Sequence, residues 1–348
     1  MKARRTSKQI KIGNVAVGGD APITVQSMTN TDTKDVASTV RQIKELEEVG
    51  CEIIRSAVPD AQAAQALAEI KKQISIPLVA DIHFDYRLAL ASLKAGVDAL
   101  RLNPGNIPEH DRVKAVVLAA KERGVPIRIG LNAGSLPRTY RPELSVAKRM
   151  VEAALEQIRL LESLDFELIK VSLKASDVPT TIEAYTDIAG KIPYPLHVGI
   201  TEAGTPRTGI IRSSVGIGTL LSMGIGDTIR VSLTANPREE VFAGYEILKS
   251  LELRERGPVL VSCPTCGRTE VDLIPIAEAV ERALMRITNP IKVAVMGCAV
   301  NGPGEARDAD IGIACGKGKA ILFKKGEKVG VVEEKDVVSA LMAEVERM

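Results

Sequence analysis

One repeating pattern covers the first two thirds of the chain and limits what it can fold into. From about residue 20 to 250, a short run rich in Val, Ile and Leu is followed by a longer stretch with helical spacing. Gly or Pro often precedes the return to the next run. Eight such units in roughly 230 residues are typical of a (β/α)8 barrel of the TIM type. The eight runs are residues 23–28, 52–58, 77–84, 98–103, 126–132, 167–174, 195–201 and 228–233.

An open doubly wound sheet is the alternative fold. Such a sheet usually has fewer strands and carries a Gly-rich, phosphate-binding turn after its first strand. The residues that end the first run and follow it, "QSMTNTDT" (26–33), contain no glycine. The barrel is therefore the favoured fold.

The composition excludes several classes of protein. Hydrophobic residues make up 45% of the chain and aromatic residues 3%, with no Trp, so a packed α/β core is expected and stacking on single-stranded nucleic acid is not. A net charge of +2 gives no global field that would attract nucleic acid or a membrane surface. Since no apolar run is long enough to span a bilayer and the basic start has no apolar signal core, we expect a cytoplasmic protein with reduced thiols.

The pattern changes at a charged joint, residues 248–260. Beyond the joint, short strands connected by Gly turns alternate with helices expected at about 271–287 and 334–347. This arrangement indicates a small α+β domain. We expect residues 1–256 to form the barrel and residues 257–348 to form the second domain.

Polar side chains at the C-terminal ends of the barrel strands predict a binding site, because (β/α)8 enzymes carry their chemistry there. Five of the eight strands carry a cation at or near that end. Each cation alone could form a salt bridge at the rim, but five at one mouth favour a small, highly anionic ligand with phosphate oxygens. The candidates are Arg55, Asp81, His83, Arg101, Asn103, Arg128, Asn132, Lys174, His197, Thr201, Glu202, Arg230 and Ser232.

Two further features belong to this mouth. Asp81 and Glu202 are its main carboxylates, which either exchange protons with a substrate or pair with neighbouring Arg residues. A Gly-rich stretch, residues 213–227, follows the seventh run. Barrels often bind phosphate there on backbone amides at a helix start, although tight packing would also require glycines.

Three of the five cysteines suggest a metal site. Cys263 and Cys266 form a Cys-x-x-Cys pair, and Cys298 follows 32 positions after the second of them. A zinc site would need a second such pair or a pair of histidines, and neither exists in this part of the sequence. Three thiolates that lack a fourth resemble an iron–sulfur cluster with one non-standard ligand.

The fourth ligand is either Cys315 or Glu305. Glu305 ends the loop "NGPGE" (301–305), in which glycines allow tight curvature and Pro adds stiffness. A carboxylate binds iron more weakly than a thiolate and can give way to a substrate oxygen, so we favour Glu305. Cys315 and Cys51 are interpreted as small buried hydrophobic residues.

Motifs along nearly the whole chain resemble those of the GcpE family of 4-hydroxy-3-methylbut-2-enyl diphosphate synthases, in its two-domain bacterial form. The barrel motifs occur in the family's order, and the cluster motif shows no departure. The matching stretches are "VQSMTNTDT", "ADIHFDYRLAL", "RLNPGNI", "RIGLNAGSL", "VSLKASDV", "LHVGITEAG", "DTIRVSLT", "SCPTCGRTEVDL" and "MGCAVNGPGEARDADIGIACG".

The resemblance implies a reaction and a cofactor. The family reduces 2-C-methyl-D-erythritol 2,4-cyclodiphosphate to 4-hydroxy-3-methylbut-2-enyl diphosphate on the methylerythritol phosphate route to isoprenoids. By similarity, Cys263, Cys266, Cys298 and Glu305 would hold a [4Fe–4S] cluster, in a domain that resembles half of a sulfite or nitrite reductase. Glu305 would then also take part in catalysis.

The resemblance also implies roles for the mouth and for partners. Glu202 would donate a proton to the leaving hydroxyl. Flavodoxin or ferredoxin would supply single electrons, and the active site would be shared between the protomers of a homodimer. The expected substrate-binding residues are Arg55, Asp81, Arg101, Arg128, Asn132, Lys174, His197, Thr201, Arg230 and Ser232.

Two rival hypotheses remain open at this point. One is another phosphate-binding barrel enzyme whose second domain carries structural zinc. The other is a non-enzymatic iron–sulfur carrier or interaction module, in which the cations of the barrel would form a solvated rim.

Overall fold

The computed structural model describes residues 1–83, 85–103, 107, 110–137, 139–298, 304 and 307–348. The chain divides into two compact units, Met1–Arg254 and Glu255–Met348. No helix in these described stretches is long and apolar enough to cross a membrane.

The first unit contains an eight-stranded parallel sheet in the order β8-β7-β6-β5-β4-β3-β10-β9. A parallel bridge between Val171 and Leu196 brings the two end strands together and closes the ring. The predicted TIM-type barrel is therefore confirmed. Its strands are β3 (Thr24–Met28), β4 (Ile53–Ala57), β5 (Leu78–Asp81), β6 (Ala99–Leu102), β7 (Ile127–Asn132), β8 (Ile169–Lys174), β9 (His197–Val198) and β10 (Thr228–Ile229).

A helix follows each barrel strand. Most of these helices begin at an Asp, Ser or Asn whose side chain accepts a hydrogen bond from the first helical turn, as Asp60 does from the Ala63 amide. Such caps fix the loops between strand and helix at the mouth. The helices are α1 (Val36–Glu48), α2 (Ala61–Lys71), α3 (Tyr86–Lys94), α4 (His110–Arg123), α5 (Val146–Glu162), α6 (Val178–Ala189), α7 (Pro206–Ser222) and α8 (Pro237–Ser250).

An N-terminal hairpin, β1 (Ile10–Ile12) and β2 (Val15–Val17), closes the opposite end of the barrel. Its side chains pack against Ile53, Val79 and Ala99 from the first half of the barrel strands. Each fully buried aliphatic side chain of this kind contributes about 1.5–3 kcal/mol. The plugged end leaves the C-terminal ends of the strands as the accessible mouth.

In its described residues, the second unit has a five-stranded mixed sheet and two α-helices. Strands β11 (Val259–Ser262), β12 (Lys292–Met296) and β13 (Ile311–Gly316) are parallel, while β14 (Lys319–Lys324) and β15 (Glu327–Glu333) continue the sheet antiparallel. Helices α9 (Leu273–Leu284) and α10 (Val337–Val345) share a core with the sheet. This unit matches the α+β pattern predicted from the sequence.

Candidate active site

Strand alternation places an unusual number of cations inside the barrel. The guanidinium of Arg128 on β7 donates to the side-chain oxygen of Gln26 on β3, 3.4 Å away across the ring. The buried carboxylates in the described chain are Asp81, Asp227 and Glu240. Asp227 forms a salt bridge with Arg4 at 2.7 Å. Asp81 and Glu240 then face a larger set of buried or nearly buried cations, which comprises Arg55, Arg101, Arg128, Lys174 and Arg230. Lys170 is also buried, but it lines a cavity toward the plugged end with Ile12 and Val79.

Asp81 is the anionic centre of this cluster. Its oxygens lie 3.5 Å from Nε of Arg55 and 3.1 Å from Nη1 of Arg101. Burial alone would raise the pKa of Asp81, but the guanidiniums of Arg55, Arg101 and Arg128 lower it to about 2. Asp81 is thus ionised at neutral pH and positions cations, so it is not the group that donates a proton.

Arg101 is held by two strong acceptors. Besides Asp81, its Nη2 donates to the carbonyl oxygen of Gly130 at 2.9 Å. A Cβ atom at position 130 would lie 2.4 Å from Nε of Arg101, so glycine provides the space that the guanidinium occupies. Gly199 leaves space both for the Arg230 carbonyl oxygen and for Nζ of Lys174, which would lie 2.4 and 2.7 Å from a Cβ at position 199.

Arg230 depends on a residue that the sequence did not single out. Glu240, in the first turn of α8, contacts Nε and Nη2 of Arg230, both at 3.3 Å. The same carboxylate accepts hydrogen bonds from the Ser27 hydroxyl and the Leu233 amide, each at 3.0 Å. Glu240 therefore fixes Arg230 to β3 and to the loop after β10.

A layer of polar side chains lies deeper in the barrel. His197 is fully buried, and its Nδ1 lies 2.7 Å from the Thr228 hydroxyl. Burial lowers the pKa of His197 well below its usual value, and the nearby Arg128, Lys174 and Lys170 lower it further. Nε2 of His197 and Nε of Arg128 are both buried without a hydrogen-bond partner in the described residues. His197 is therefore neutral, below the mouth rather than on its rim.

Glu202 lies on the exposed rim in a strained turn. Its φ of 53° is in the left-handed region, which costs a non-glycine residue about 1–2 kcal/mol. Hydrogen bonds on both sides hold the turn: Thr201 N to the Ala175 carbonyl at 3.1 Å and Arg212 Nη1 to the Ala203 carbonyl at 3.0 Å. These surrounding contacts thus hold the turn that carries Glu202 on the exposed rim.

The structure places the remaining candidates on the loops and strand ends of the same mouth. Asn132 ends β7 and precedes a short 3-10 helix, Ala133–Ser135. Thr201 and Ser232 are partly exposed in the segments after β9 and β10, and Asn103 is buried directly after β6. His83 follows β5 by two residues.

The prediction that the Gly-rich stretch, residues 213–227, binds phosphate at a helix start was wrong. Residues 213–222 lie within α7, which begins at Pro206 after Thr205, so they do not form a loop at a helix start. A Cβ at Gly216 would lie 2.5 Å from Cδ1 of Ile200. Gly216 therefore allows close packing of the helix on the barrel, which was the alternative reading of these glycines.

The Cys-x-x-Cys pair lies at one edge of the second sheet. Cys263 follows β11, and its amide donates to the Val295 carbonyl of β12 at 3.3 Å. Gly297 N donates to Sγ of Cys263 at 3.2 Å, which places the backbone directly before Cys298 beside the Cys263 thiol. The Glu270 amide bonds the Gly297 carbonyl at 3.0 Å, which ties the loop that contains Cys266 to the same edge.

These thiols have the chemistry that iron requires. Hydrogen bonding from the Arg268 backbone lowers the pKa of the exposed Cys266 thiol, which favours the thiolate. In the part of the chain that is described, no three His, Cys, Asp or Glu side chains are close enough together to hold a metal ion. Glu305 lies outside the described residues. The donor types and strand positions thus fit a cluster, while the described side chains do not converge.

Cys315 and Cys51 are buried thiols. Cys315 lies within β13, and burial, with smaller contributions from Glu334 and Cys263, raises its pKa to about 11. Burial likewise raises the pKa of Cys51 to about 12. Both thiols are therefore protonated at neutral pH, and both were expected to be buried.

Comparison with known proteins identifies the family. The family model described as the GcpE TIM-barrel domain matches residues 7–245, and the GcpE protein C-terminal domain matches residues 259–347. The chain belongs to the GcpE family. A GcpE relative from Dehalococcoides mccartyi, named 4-hydroxy-3-methylbut-2-en-1-yl diphosphate synthase (flavodoxin), is 69% identical over 345 residues and covers 99% of both chains. A relative of the same name from Geobacter sulfurreducens is 58% identical, over 100% of this chain and 99% of its own.

Solved structures show the likeness of the GcpE barrel to other barrels. Dihydropteroate synthase from Stenotrophomonas maltophilia matches with a TM-score of 0.56 at 13% identity, over 71% of this chain and 97% of its own. The Yersinia pestis dihydropteroate synthase matches with a TM-score of 0.52 at 11% identity, over 71% of this chain and 100% of its own. At such identities the likeness concerns the fold alone.

Sequence reasoning about this GcpE chain missed three residues of the polar network in the barrel: Met28 and Glu240 near the mouth, and Lys170 toward the plugged end. Lys170 could have been found, because it alternates with Ser172 and Lys174 along β8 and must face the same side. No comparable sequence pattern indicated that Glu240 or Met28 would contact the cations. Glu240 lies on a helix outside the strands, and Met28 reads as an ordinary apolar residue of β3.

Proposed function

We propose that this chain reduces 2-C-methyl-D-erythritol 2,4-cyclodiphosphate to 4-hydroxy-3-methylbut-2-enyl diphosphate, with two electrons opening the ring and a hydroxyl leaving as water. The relatives carry the name of this synthase. The observation that carries the proposal is the excess of cations over carboxylates inside the barrel. Such an excess is costly unless an anion completes it, and a cyclic diphosphate is small and highly anionic.

The proposed binding role differs among the cations. Arg55, Lys174 and Arg230 lie nearest the mouth, at or close to the ends of their strands. Arg forks bind phosphate oxygens in pairs, while Lys174 acts as a point charge. Arg128 lies deeper and raises the positive potential under the ligand. Asn132, Thr201 and Ser232 would supply neutral hydrogen bonds at the rim, and we assign no direct contact to the buried, neutral His197.

Glu202 is the proposed proton donor to the leaving hydroxyl. Asp81 cannot serve in this role because its neighbours keep it ionised. Glu202 is exposed on the rim, and its strained turn is fixed by neighbouring backbone bonds. A side chain on a fixed backbone turn loses less entropy when it meets the substrate than one on a mobile loop would.

Cys263, Cys266, Cys298 and Glu305 would hold a [4Fe–4S] cluster. When bound, the cluster would supply electrons one at a time and a Lewis-acidic iron at its non-cysteine corner. The chain's own contribution at this edge is the hydrogen bond from the Arg268 backbone, which favours the thiolate form of Cys266. Cys315 lies within β13 and is fully buried, which supports Glu305 as the fourth ligand.

The electron donor is proposed to be flavodoxin, as in the names of the relatives, with ferredoxin as the alternative single-electron carrier. We also propose a homodimer in which one protomer supplies the barrel and its partner the cluster. Mixing the inactive variants Glu202→Gln and Cys266→Ser should then restore about a quarter of wild-type turnover, since statistical mixing makes half of the dimers hybrid with one intact site each. No recovery in mixed dimers of verified composition would contradict the shared site.

Anaerobic purification followed by turnover tests the function. We expect iron and acid-labile sulfide in equal amounts, little zinc, and reductant-driven conversion of the cyclodiphosphate. Cys266→Ser should lose the cluster, whereas Cys315→Ser, the matched control, should keep it. Stoichiometric zinc without sulfide would overturn the proposal, and a Glu305→Ala variant with full cluster content and full activity would overturn the ligand assignment.

A further inference from the structure

Met28 has an unusual position for an apolar residue. It ends β3, the strand between β4 and β10, and so lies between Arg55 on β4 and Arg230, the residue directly after β10. Its thioether sulfur accepts hydrogen bonds from Nε and Nη2 of Arg55, at 3.2 and 2.8 Å. The same sulfur is 3.5 Å from Nη1 of Arg230. One sulfur atom therefore holds guanidiniums from both sides.

A thioether is a weak hydrogen-bond acceptor, so it can be displaced from a guanidinium by a stronger acceptor. Guanidinium groups form stronger bonds with carboxylate or carbonyl oxygens. Arg101 shows that arrangement, with Asp81 and the Gly130 carbonyl as its acceptors. A donor bound to sulfur is therefore released to an incoming anion at much lower cost than one bound to oxygen.

We propose that Met28 is a positioning residue that keeps Arg55 and Arg230 directed at one point and releases them to the phosphate oxygens of the substrate. The inference rests on the proposed function, because it requires a phosphate ligand. It also assigns different tasks to the donors: the nitrogens of Arg55 and Arg230 that face the Met28 sulfur exchange partners on binding, while Asp81 and Glu240 keep these two guanidiniums in place. Arg101, with its oxygen acceptors, does not exchange partners. The partner exchange involves hydrogen bonds only and no redox change at sulfur.

Two substitutions at position 28 test whether Met28 acts as a weak hydrogen-bond acceptor or only fills space. Met28→Gln keeps a similar length but offers an amide oxygen, a stronger acceptor that competes with phosphate. Met28→Leu keeps a similar apolar volume but removes the acceptor. Met223→Gln is the matched control, since Met223 is a partly buried methionine just after α7, at the opposite end of the barrel.

The measurements use the full-length, cluster-loaded chain. Isothermal titration calorimetry gives the Kd of inorganic pyrophosphate, and steady-state kinetics give KM and kcat for the cyclodiphosphate. We expect Met28→Gln to raise both Kd and KM about tenfold and Met28→Leu about threefold, with kcat within about twofold of wild type. Met223→Gln should leave all three values unchanged.

Several results would overturn the inference. They are a pyrophosphate Kd within twofold of wild type in Met28→Gln, equal losses in the two Met28 variants, or a fall in kcat without a change in Kd. If Met28→Gln does not fold, as judged by its melting curve, Met28→Leu decides, and an unchanged Kd in that variant refutes the role. Because pyrophosphate binding needs no turnover, the result is distinct from a failure of the proposed reaction.

Discussion

Replacing Gly130 with alanine tests whether the barrel holds Arg101 in one fixed place. A Cβ at position 130 would lie 2.4 Å from Nε of Arg101 and 3.2 Å from its Cζ. The first distance is well inside van der Waals contact, so the guanidinium must move. It cannot move without disturbing its bonds to Asp81 at 3.1 Å and to the carbonyl at position 130 at 2.9 Å.

The expected loss follows from those two bonds. A hydrogen bond that involves a charged group contributes about 1.5–3 kcal/mol net, and leaving a buried partner unsatisfied costs a similar amount. Loss of one bond and weakening of the other therefore predict a decrease of about 2–4 kcal/mol in the free energy of unfolding. For a unit of this size, about 2–4 °C per kcal/mol gives a fall in Tm of roughly 5–15 °C.

Gly134→Ala is the matched control for Gly130→Ala. Gly134 lies four residues further along, and nothing is within 4 Å of a Cβ built there. Differential scanning calorimetry of the full-length variants should show a large Tm decrease for Gly130→Ala and a change of less than about 2 °C for Gly134→Ala. Equal Tm values for the two variants, with unchanged pyrophosphate binding in both, would refute the claim that the glycine provides the space for Arg101.

Three further predictions concern stability at acid pH, the contact between Glu240 and Arg230, and the reactivity of the thiols. The pKa of Asp81 in the folded protein, about 2, is below its usual value of 3.8. The ionised carboxylate therefore stabilises the fold above about pH 4, and this stabilisation is lost as the pH falls through 2. Urea unfolding should therefore show wild type losing about 2 kcal/mol more than Asp81→Asn between pH 5 and pH 2, and parallel losses would contradict the depressed pKa. Glu240→Gln should raise KM about three- to tenfold. In a double-mutant cycle, its effect should be less than additive with that of Arg230→Gln, because each change disrupts the same contact. Full additivity would exclude the proposal that Glu240 holds Arg230 in place. In cluster-free protein, maleimide should modify the exposed Cys266 within minutes and the buried Cys51 only on unfolding, as mass spectrometry of digested peptides would show; similar rates would be inconsistent with the structure.

The barrel could be predicted because its signal is spread over many residues. Each of the eight apolar runs contains one strand, although the last two strands are only two residues long, His197–Val198 and Thr228–Ile229. The cations were found because a charged side chain interrupts an apolar run. The location of Arg55 and Lys174 toward one end of the barrel then follows from the shared C-terminal ends of parallel strands.

The interactions among those side chains could not be predicted in the same way. Glu239 and Glu240 are adjacent in the sequence, and only the rotation of α8 decides that Glu240 is the one that is buried beside Arg230. The Gly-rich stretch was misread since composition alone does not locate a helix start. The stronger signal was "TPRTG" (205–209), with Thr at the N-cap and Pro206 at the first helical position.

The excess of cations in the barrel leads to a final prediction about ligand-induced stability. Folding brings Arg55, Arg128 and Lys174 out of water, and burial lowers the pKa of each, to about 10 for Arg55 and well below the usual value for the other two. The protein is therefore less stable without an anion than its apolar core alone would make it. An anion that neutralises this cluster should raise stability by RT ln(1 + [L]/Kd), which is about 2.7 kcal/mol at a hundredfold excess over Kd.

Thermal denaturation with increasing pyrophosphate measures this effect. For the full-length chain, we expect Tm to rise by roughly 5–10 °C at saturation, and sulfate at equal ionic strength to give a smaller rise because it has fewer oxygens to share among the cations. Lys174→Met should begin with a higher Tm than wild type and respond less to pyrophosphate, since removing an uncompensated buried charge relieves the repulsion that the anion otherwise relieves. A Lys174→Met variant that melts lower than wild type and gains as much from pyrophosphate would show that the cations are already compensated within the protein.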